Sequence, residues 1–358
     1  MQKNFGKPNL LFIFSITLCV ALAACSSIGP KTLDKDQLDY GRSVGANWKN
    51  QLLANLVRLR YVDMPVFVDV GQIVSGYSLE TNVSGQVGWG NSLTGGDSQG
   101  LRAGGKYTDR PTITYMPKTG EDFLRSLLEP VEPRSLLALV LAGYNSELLF
   151  TWAVESINGL KNYSVTGSKA RRADPEFIEY VGLLQELQNA AAVSFQLEND
   201  PKTGHDVIMI FKKETMDEAI QLKRKRAAEL LGLDPGRDQY RVMYAPYASD
   251  SGILAMQTRS LIQMMVALSG FIDIPQENRS QAAGGYNLPA GMDRPFHVSS
   301  GKDRPDYSFA QIKYQDNWYW IENDDLVSKR VFTLMLFLTT LTNTGGDQKA
   351  PVLTIPTN

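Results

Sequence analysis

From Tyr77 onward the chain alternates with a period of two. Tyr77, Leu79, Thr81, Val83, Gly85, Val87 and Trp89 fall on one side, and Ser78, Glu80, Asn82, Ser84, Gln86 and Gly88 on the other. Extended backbone sends successive side chains to opposite faces, so a strand can use this pattern and a helix cannot. After the polar stretch 90–100 the alternation resumes, with Leu101, Ala103, Gly105 and Tyr107 opposed to Arg102, Gly104, Lys106 and Thr108. Residues 77–115 are therefore expected to form a long, glycine-rich β-hairpin that protrudes, with one apolar and one polar face. A two-stranded ribbon is marginal in water, so the apolar face needs a cover: the rest of the domain, another subunit, or lipid. About 9–11 residues of such a strand suffice to cross an outer membrane. Asp109 and Pro111 on the apolar side, and the lack of an aromatic girdle at both ends, argue against insertion. Trp89 and Tyr107 are the ribbon side chains expected to meet a partner.

The rest of the chain mixes helical and extended periods. Val44, Trp48, Leu52, Leu56 and Leu59 make the stripe of a first helix from about Gln37 to Tyr61, ended by Met64-Pro65, and 66–70 follows as a strand. Residues 120–162 read as helices broken at Pro130 and Pro133, and Pro175 opens another helix to about Ala190. Residues 192–197 and 206–211 face each other as a hairpin, a helix runs from Thr215 to Leu231, and 240–244 is a strand. Ile253 to Phe271 reads as one long helix. Residues 307–314 and 318–321 form a second hairpin, whose Trp318, Tyr319 and Trp320 are expected to pack beneath the last helix. Asn323 or Asp324 caps that helix, Val331 to Leu338 lies in the core, and 352–355 is a closing strand. The tripeptide Asp-Arg-Pro stands at 109–111, 293–295 and 303–305; each proline favours an extended start to a strand, and an arginine cluster follows if the three strands adjoin. The expected fold class is α+β, mixed helices packed on antiparallel sheet. It forms one domain over 37–358, with the exposed loop 163–174 as the place to divide it into halves 37–163 and 174–358. At 358 residues and 43% apolar, the chain can bury a large core.

The N-terminus follows a different logic. Lys3 and Lys7 precede an uncharged run from Leu10 to Ala24, which ends in small residues before Cys25. This is the layout of a secretory signal peptide, and Leu22-Ala23-Ala24-Cys25 resembles the bacterial lipobox. The resemblance implies cleavage between Ala24 and Cys25, acylation of Cys25, and a lipidated tether over 25–36. Serines at 26 and 27, where an aspartate would mark the inner membrane, imply the periplasmic side of a Gram-negative outer membrane. The apolar run is shorter than the ~20 residues a bilayer span needs. Cys19 lies in the removed peptide, so the mature fold is left without a thiol for a disulfide, a nucleophile or a metal site. Losing Lys3 and Lys7 leaves 34 of the 36 basic residues against 38 acidic ones, a balance that does not favour nucleic acid as a partner.

Downstream, the signs of chemistry are weak. Gly96-Asp97-Ser98-Gln99-Gly100 fits G-x-S-x-G but stands at the tip of the hairpin, without the following helix that presents a nucleophilic serine. His205 in a turn and His297 in a short strand do not form a metal-binding pair. No glycine-rich phosphate loop is present, and no cofactor is expected. A glycosidase needs only two suitably spaced carboxylates, which 38 acids neither identify nor exclude. Lys223-Arg224-Lys225-Arg226 reads as a solvated helix face, with a surface for anionic lipid or a partner as the alternative.

Residues 50–61, 109–115 and the tail 351–356 resemble a family of proteobacterial outer-membrane lipoproteins with no assigned activity. The resemblance would cover nearly the whole mature chain and carries no catalytic residue across. The expected function is that of a lipid-anchored, periplasm-facing binding or assembly protein of the cell envelope, without turnover. It would hold the membrane through its lipid and meet an envelope protein or a second copy of itself. Two alternatives stay open: an envelope hydrolase acting through carboxylates, and an oligomeric pore or secretion component using residues 77–115.

Overall fold

The computed structural model describes residues 29–74, 77–88, 98–109, 112–164, 171–200, 204–211, 217–285 and 294–342. Ala24, Cys25, Trp89, the tip that holds Ser98's expected loop, and the closing strand 352–355 fall wholly or partly outside them. Helix α1 runs Gly29–Arg60, starting earlier than the stripe alone suggests and taking in residues expected as tether. Pro30 stands in its first turn, where the missing N–H costs nothing. The chain divides into two units, Met1–Trp48 and Lys49–Asn358. In the first, Ser43 Oγ donates to the Asp39 carbonyl, and Leu38 and Trp48 are exposed, so Trp48 lies outside the buried stripe. In the second, that stripe begins at Leu52 and runs through Leu53, Leu56 and Val57, each at most 3% exposed.

Strand β1 (Val68–Val74) pairs antiparallel with β4 (Thr112–Pro117), and β2 (Tyr77–Gly88) with β3 (Ser98–Asp109). Thr112 to Tyr115 thus belong with β1 and not with the hairpin's own partner strand. The β1–β4 ladder shifts register between Val70 and Gln72. Val74 faces Thr112 and Tyr77 faces Asp109, with two residues intervening on each side. Side chains of 71–113 lie outside the described residues, and with them the expected apolar face and Tyr107.

Helices α2 (Glu121–Leu128), α3 (Pro133–Leu141) and α4 (Ser146–Ala153) follow, with proline at N1 of α3 and the Asn145 side chain accepting from the Leu148 N–H at the start of α4. The chain then enters a six-stranded sheet, in spatial order β6-β5-β10-β9-β8-β7. Its strands are β5 (Val154–Ile157), β6 (Leu160–Lys161), β7 (Val193–Asp200), β8 (Gly204–Phe211), β9 (Gln239–Tyr244) and β10 (Ile253–Thr258). All neighbours are antiparallel except β9 and β10. β5 and β10, which come from opposite sides of 163–174, pair within this one sheet. Helices α5 (Pro175–Asn189) and α6 (Glu218–Leu230) pack on each other, and α3 crosses β7 to β10.

The segment 253–271 is not one helix. Ile253 to Thr258 is a strand whose Leu254, Ala255 and Met256 are buried on both faces, and α7 (Leu261–Ser269) starts after it. A short apolar run fits a buried strand as well as a buried helix, so periodicity alone cannot separate them. Ser260 and Gln263 form the capping box that starts α7, satisfying two N–H groups reciprocally.

A 3-10 turn (Gln276–Gln281) and a three-stranded sheet, β11 (Ser299–Gly301), β13 (Asn317–Glu322) and β12 (Ser308–Tyr314) in that order, precede the last helix, α8 (Leu326–Thr342). Alternation along β13 buries Asn317, Tyr319 and Ile321 and leaves Trp318 and Trp320 half-buried, with Arg304 stacked on Trp318. The core therefore takes the tyrosine of the Trp-Tyr-Trp triplet. Its hydroxyl meets that of Tyr61 at 2.6 Å, and burial raises its pKa. The cap of α8 is Asp325, one residue beyond the expected pair, accepting from the Ser328 N–H. Val331, Phe332, Leu334, Met335 and Leu338 are all buried, as the sequence requires. The protein is an α+β fold.

Candidate functional site

Two places in the Lys49–Asn358 unit stand out, and the end of α1 contributes to both. The first is the root of the ribbon. Gln51 donates to the Val68 carbonyl at 2.7 Å and accepts from the Val68 N–H at 3.0 Å, so one side-chain amide replaces a neighbouring strand. Asn55, fully buried, accepts from the Val66 N–H at 2.8 Å. Phe67 packs edge-on against Phe123 at 5.3 Å, and Lys118 holds Asp69 at 2.7 Å. These contacts fix the start of β1 against α1 and the segment before α2. Around them Val66, Tyr115, Met116, Leu124 and Leu128 are exposed large apolar residues.

The second is a cavity of about 630 Å³, lined by Arg60, Arg279 and Arg294, by Asp273, and by 270–274 and 282–285. Arg60 ends α1, where Val62 takes a φ of 61°, a left-handed conformation strained for a β-branched residue. The Arg60 carbonyl accepts from the Ala283 N–H at 2.8 Å, tying the 282–285 segment to the helix end. Asp273 accepts from Arg294 Nη1 at 3.0 Å and lies 2.8 Å from His297 Nε2. His297, expected as a half-buried strand residue, thus has a carboxylate partner, and its own N–H is fixed by Ser328 Oγ at 2.8 Å. Arg294 comes from the second Asp-Arg-Pro tripeptide, while Arg304 of the third goes to Trp318, so those two arginines do not form one cluster. Among the described residues the cavity's lining holds one carboxylate, Asp273. No group of three or more metal-ligating side chains occurs among the described residues.

The basic run on α6 is tied down residue by residue. Lys223 meets Glu186 at 2.8 Å, Arg224 meets Asp238 at 2.7 Å, Lys225 lies 3.9 Å from Glu229, and Arg226 meets Glu179 at 2.6 Å. Hydrogen bonding to Arg226 holds the Glu179 carboxyl below its ordinary pKa. These pairs link α6 to α5 and to the approach to β9. His205 is paired with Asn199 in the β7–β8 ladder, and its side chain lies outside the described residues. Sequence reasoning missed Arg60, Asp273 and Arg279, which are far apart in the chain and carry no local signature; only the tripeptide around Arg294 hinted at the site.

Among the described residues no helix is long and apolar enough to cross a membrane. Compared with known proteins, the chain matches no family model, no curated sequence and no solved structure.

Proposed function

We propose that the chain is a lipid-anchored, periplasm-facing assembly protein of the outer membrane, related to the proteobacterial lipoproteins it resembles, and that it works by binding and not by turnover. The observation that carries this reading is the pair of two-stranded ladders, β2–β3 in one register from Tyr77 opposite Asp109 to Gly88 opposite Ser98, and β1–β4 with a register shift between Val70 and Gln72. Among the described residues each of their strands has one strand neighbour, so each keeps an outer edge of N–H and C=O groups able to accept another strand. An element of this length is costly unless something completes it, and the envelope partner or second copy does so. The lipid holds the chain in the plane where such partners collect. A pore is the second reading: β2 and β3 have 12 residues each, which exceeds the ~9–11 needed for an outer-membrane strand.

A photo-crosslinking benzoylphenylalanine placed at Val83, mid-β2 and opposite Ala103, tests this in intact envelopes. Irradiation is expected to give adducts heavier than the monomer, while the same group at Lys302, an exposed residue on another sheet's margin, gives none. A ladder of regular multiples selects the ring-forming reading, and one discrete adduct selects a single partner. Monomer alone from position 83 refutes the assembly role.

A further inference from the structure

The cavity at the end of α1 has an unusual charge balance. Three guanidiniums and one carboxylate line it, a formal charge of +2 with histidine neutral, and the carboxylate already accepts from Arg294 and faces His297. Arg60 is 7% exposed, so part of that positive charge sits in a wall that water reaches poorly. A concave wall with a net excess of one sign focuses its field on the space it encloses. The segment 282–285 lies flat on Arg60: a Cβ on Gly285 would stand 2.5 Å from Nη2 and 3.3 Å from the Gly270 carbonyl. Glycine at 285 is what lets the backbone pass this close and keeps the guanidinium in the wall.

We propose that this cavity binds a phosphate group, carried by a soluble ester or by a lipid headgroup. Planar guanidinium forks match phosphate oxygens in geometry as well as charge, which a lysine cluster would not. A volume of about 630 Å³ exceeds what a bare phosphate fills and falls in the range of small-molecule sites. The partly buried Ile274 offers apolar surface to the organic part of such a ligand, while Phe271 and Ile272 in the same wall are themselves buried. The binding goes beyond the assembly reading and requires neither the anchor nor the ribbon, so either can fail without the other.

The test is calorimetric titration of the full chain, in neutral detergent, with inorganic phosphate. Saturable binding is expected in the wild type, with affinity about tenfold weaker in Arg279→Gln, the loss of one charge-assisted contact. Arg279 is exposed on a 3-10 turn, so its truncation leaves the core intact. Lys225→Gln, on α6 and paired with Glu229, is the control and is expected to bind as the wild type does. Phosphatidylglycerol in phosphatidylcholine vesicles that competes with phosphate identifies a headgroup as the source. Vesicles that leave phosphate binding untouched identify a soluble ester. Absence of saturable binding, or an equal loss in Lys225→Gln and Arg279→Gln, overturns the proposal.

Discussion

Arg259→Met is expected to lower the unfolding free energy by about 3–5 kcal/mol, because it strips the partners from several buried carbonyls at once. Helix α4 ends at Ala153 without a glycine, and Val154 is already extended as the first residue of β5. The last carbonyls of the helix therefore have no following turn to supply donors, and they lie in the core. Arg259, 5% exposed, donates to the carbonyls of Trp152 at 3.1 Å and Thr151 at 3.4 Å, and to that of Tyr163, whose ring it also covers. Asn162 Nδ2 donates to Thr151 at 2.8 Å and Val154 at 2.6 Å. A positive charge at this end of the helix also complements the partial negative charge of its dipole. Arg259→Lys keeps the charge but not the fork and should lose a substantial part of the stability. Since both side chains serve the Thr151 carbonyl, Arg259→Met with Asn162→Ala should not be additive. Urea denaturation of the full chain in detergent reads all of these changes. A loss below about 1 kcal/mol for Arg259→Met would mean that water reaches those carbonyls.

Cys25→Ser, with residues 1–24 replaced by a leader that has no lipid site, is expected to move the chain from the membrane pellet to the soluble fraction. Buried acyl chains contribute about 0.8 kcal/mol per CH₂, so the multiple chains of a bacterial lipoprotein hold far more firmly than any surface contact of the folded body could. The basic run offers no substitute, since each of its members has a carboxylate at hand on α5, α6 or the approach to β9. The uncleaved serine variant would retain residues 1–24, so release is read on a form whose leader is replaced by one without a lipid site. A chain that stays with the membrane in that form is held by the ribbon or by a partner.

The elements legible in the sequence were those with a local cause. The stripe at Leu52 and Leu56, the proline-led starts of α3 and α5, and the apolar run 331–338 all mark structure through spacing or a single backbone constraint. Legibility failed where two structures satisfy the same local pattern. Leu254, Ala255 and Met256 are buried on both faces, so they show no alternation, and it is pairing with β9 on one side and with the distant β5 on the other that makes this segment a strand. Tyr319 rather than the flanking tryptophans is buried because Tyr61 waits opposite it, a fact that β13 does not contain. The arginine cavity was invisible for the same reason: residues 60, 273, 279 and 294 share a wall only after α1 has packed against the turn beyond α7.

Intact mass spectrometry of the chain purified from native envelopes tests the anchored assembly reading at its base. The prediction is a mature protein beginning at Cys25 and carrying the mass of acyl chains on that residue. An unmodified amino terminus, or a free thiol at Cys25, would contradict it.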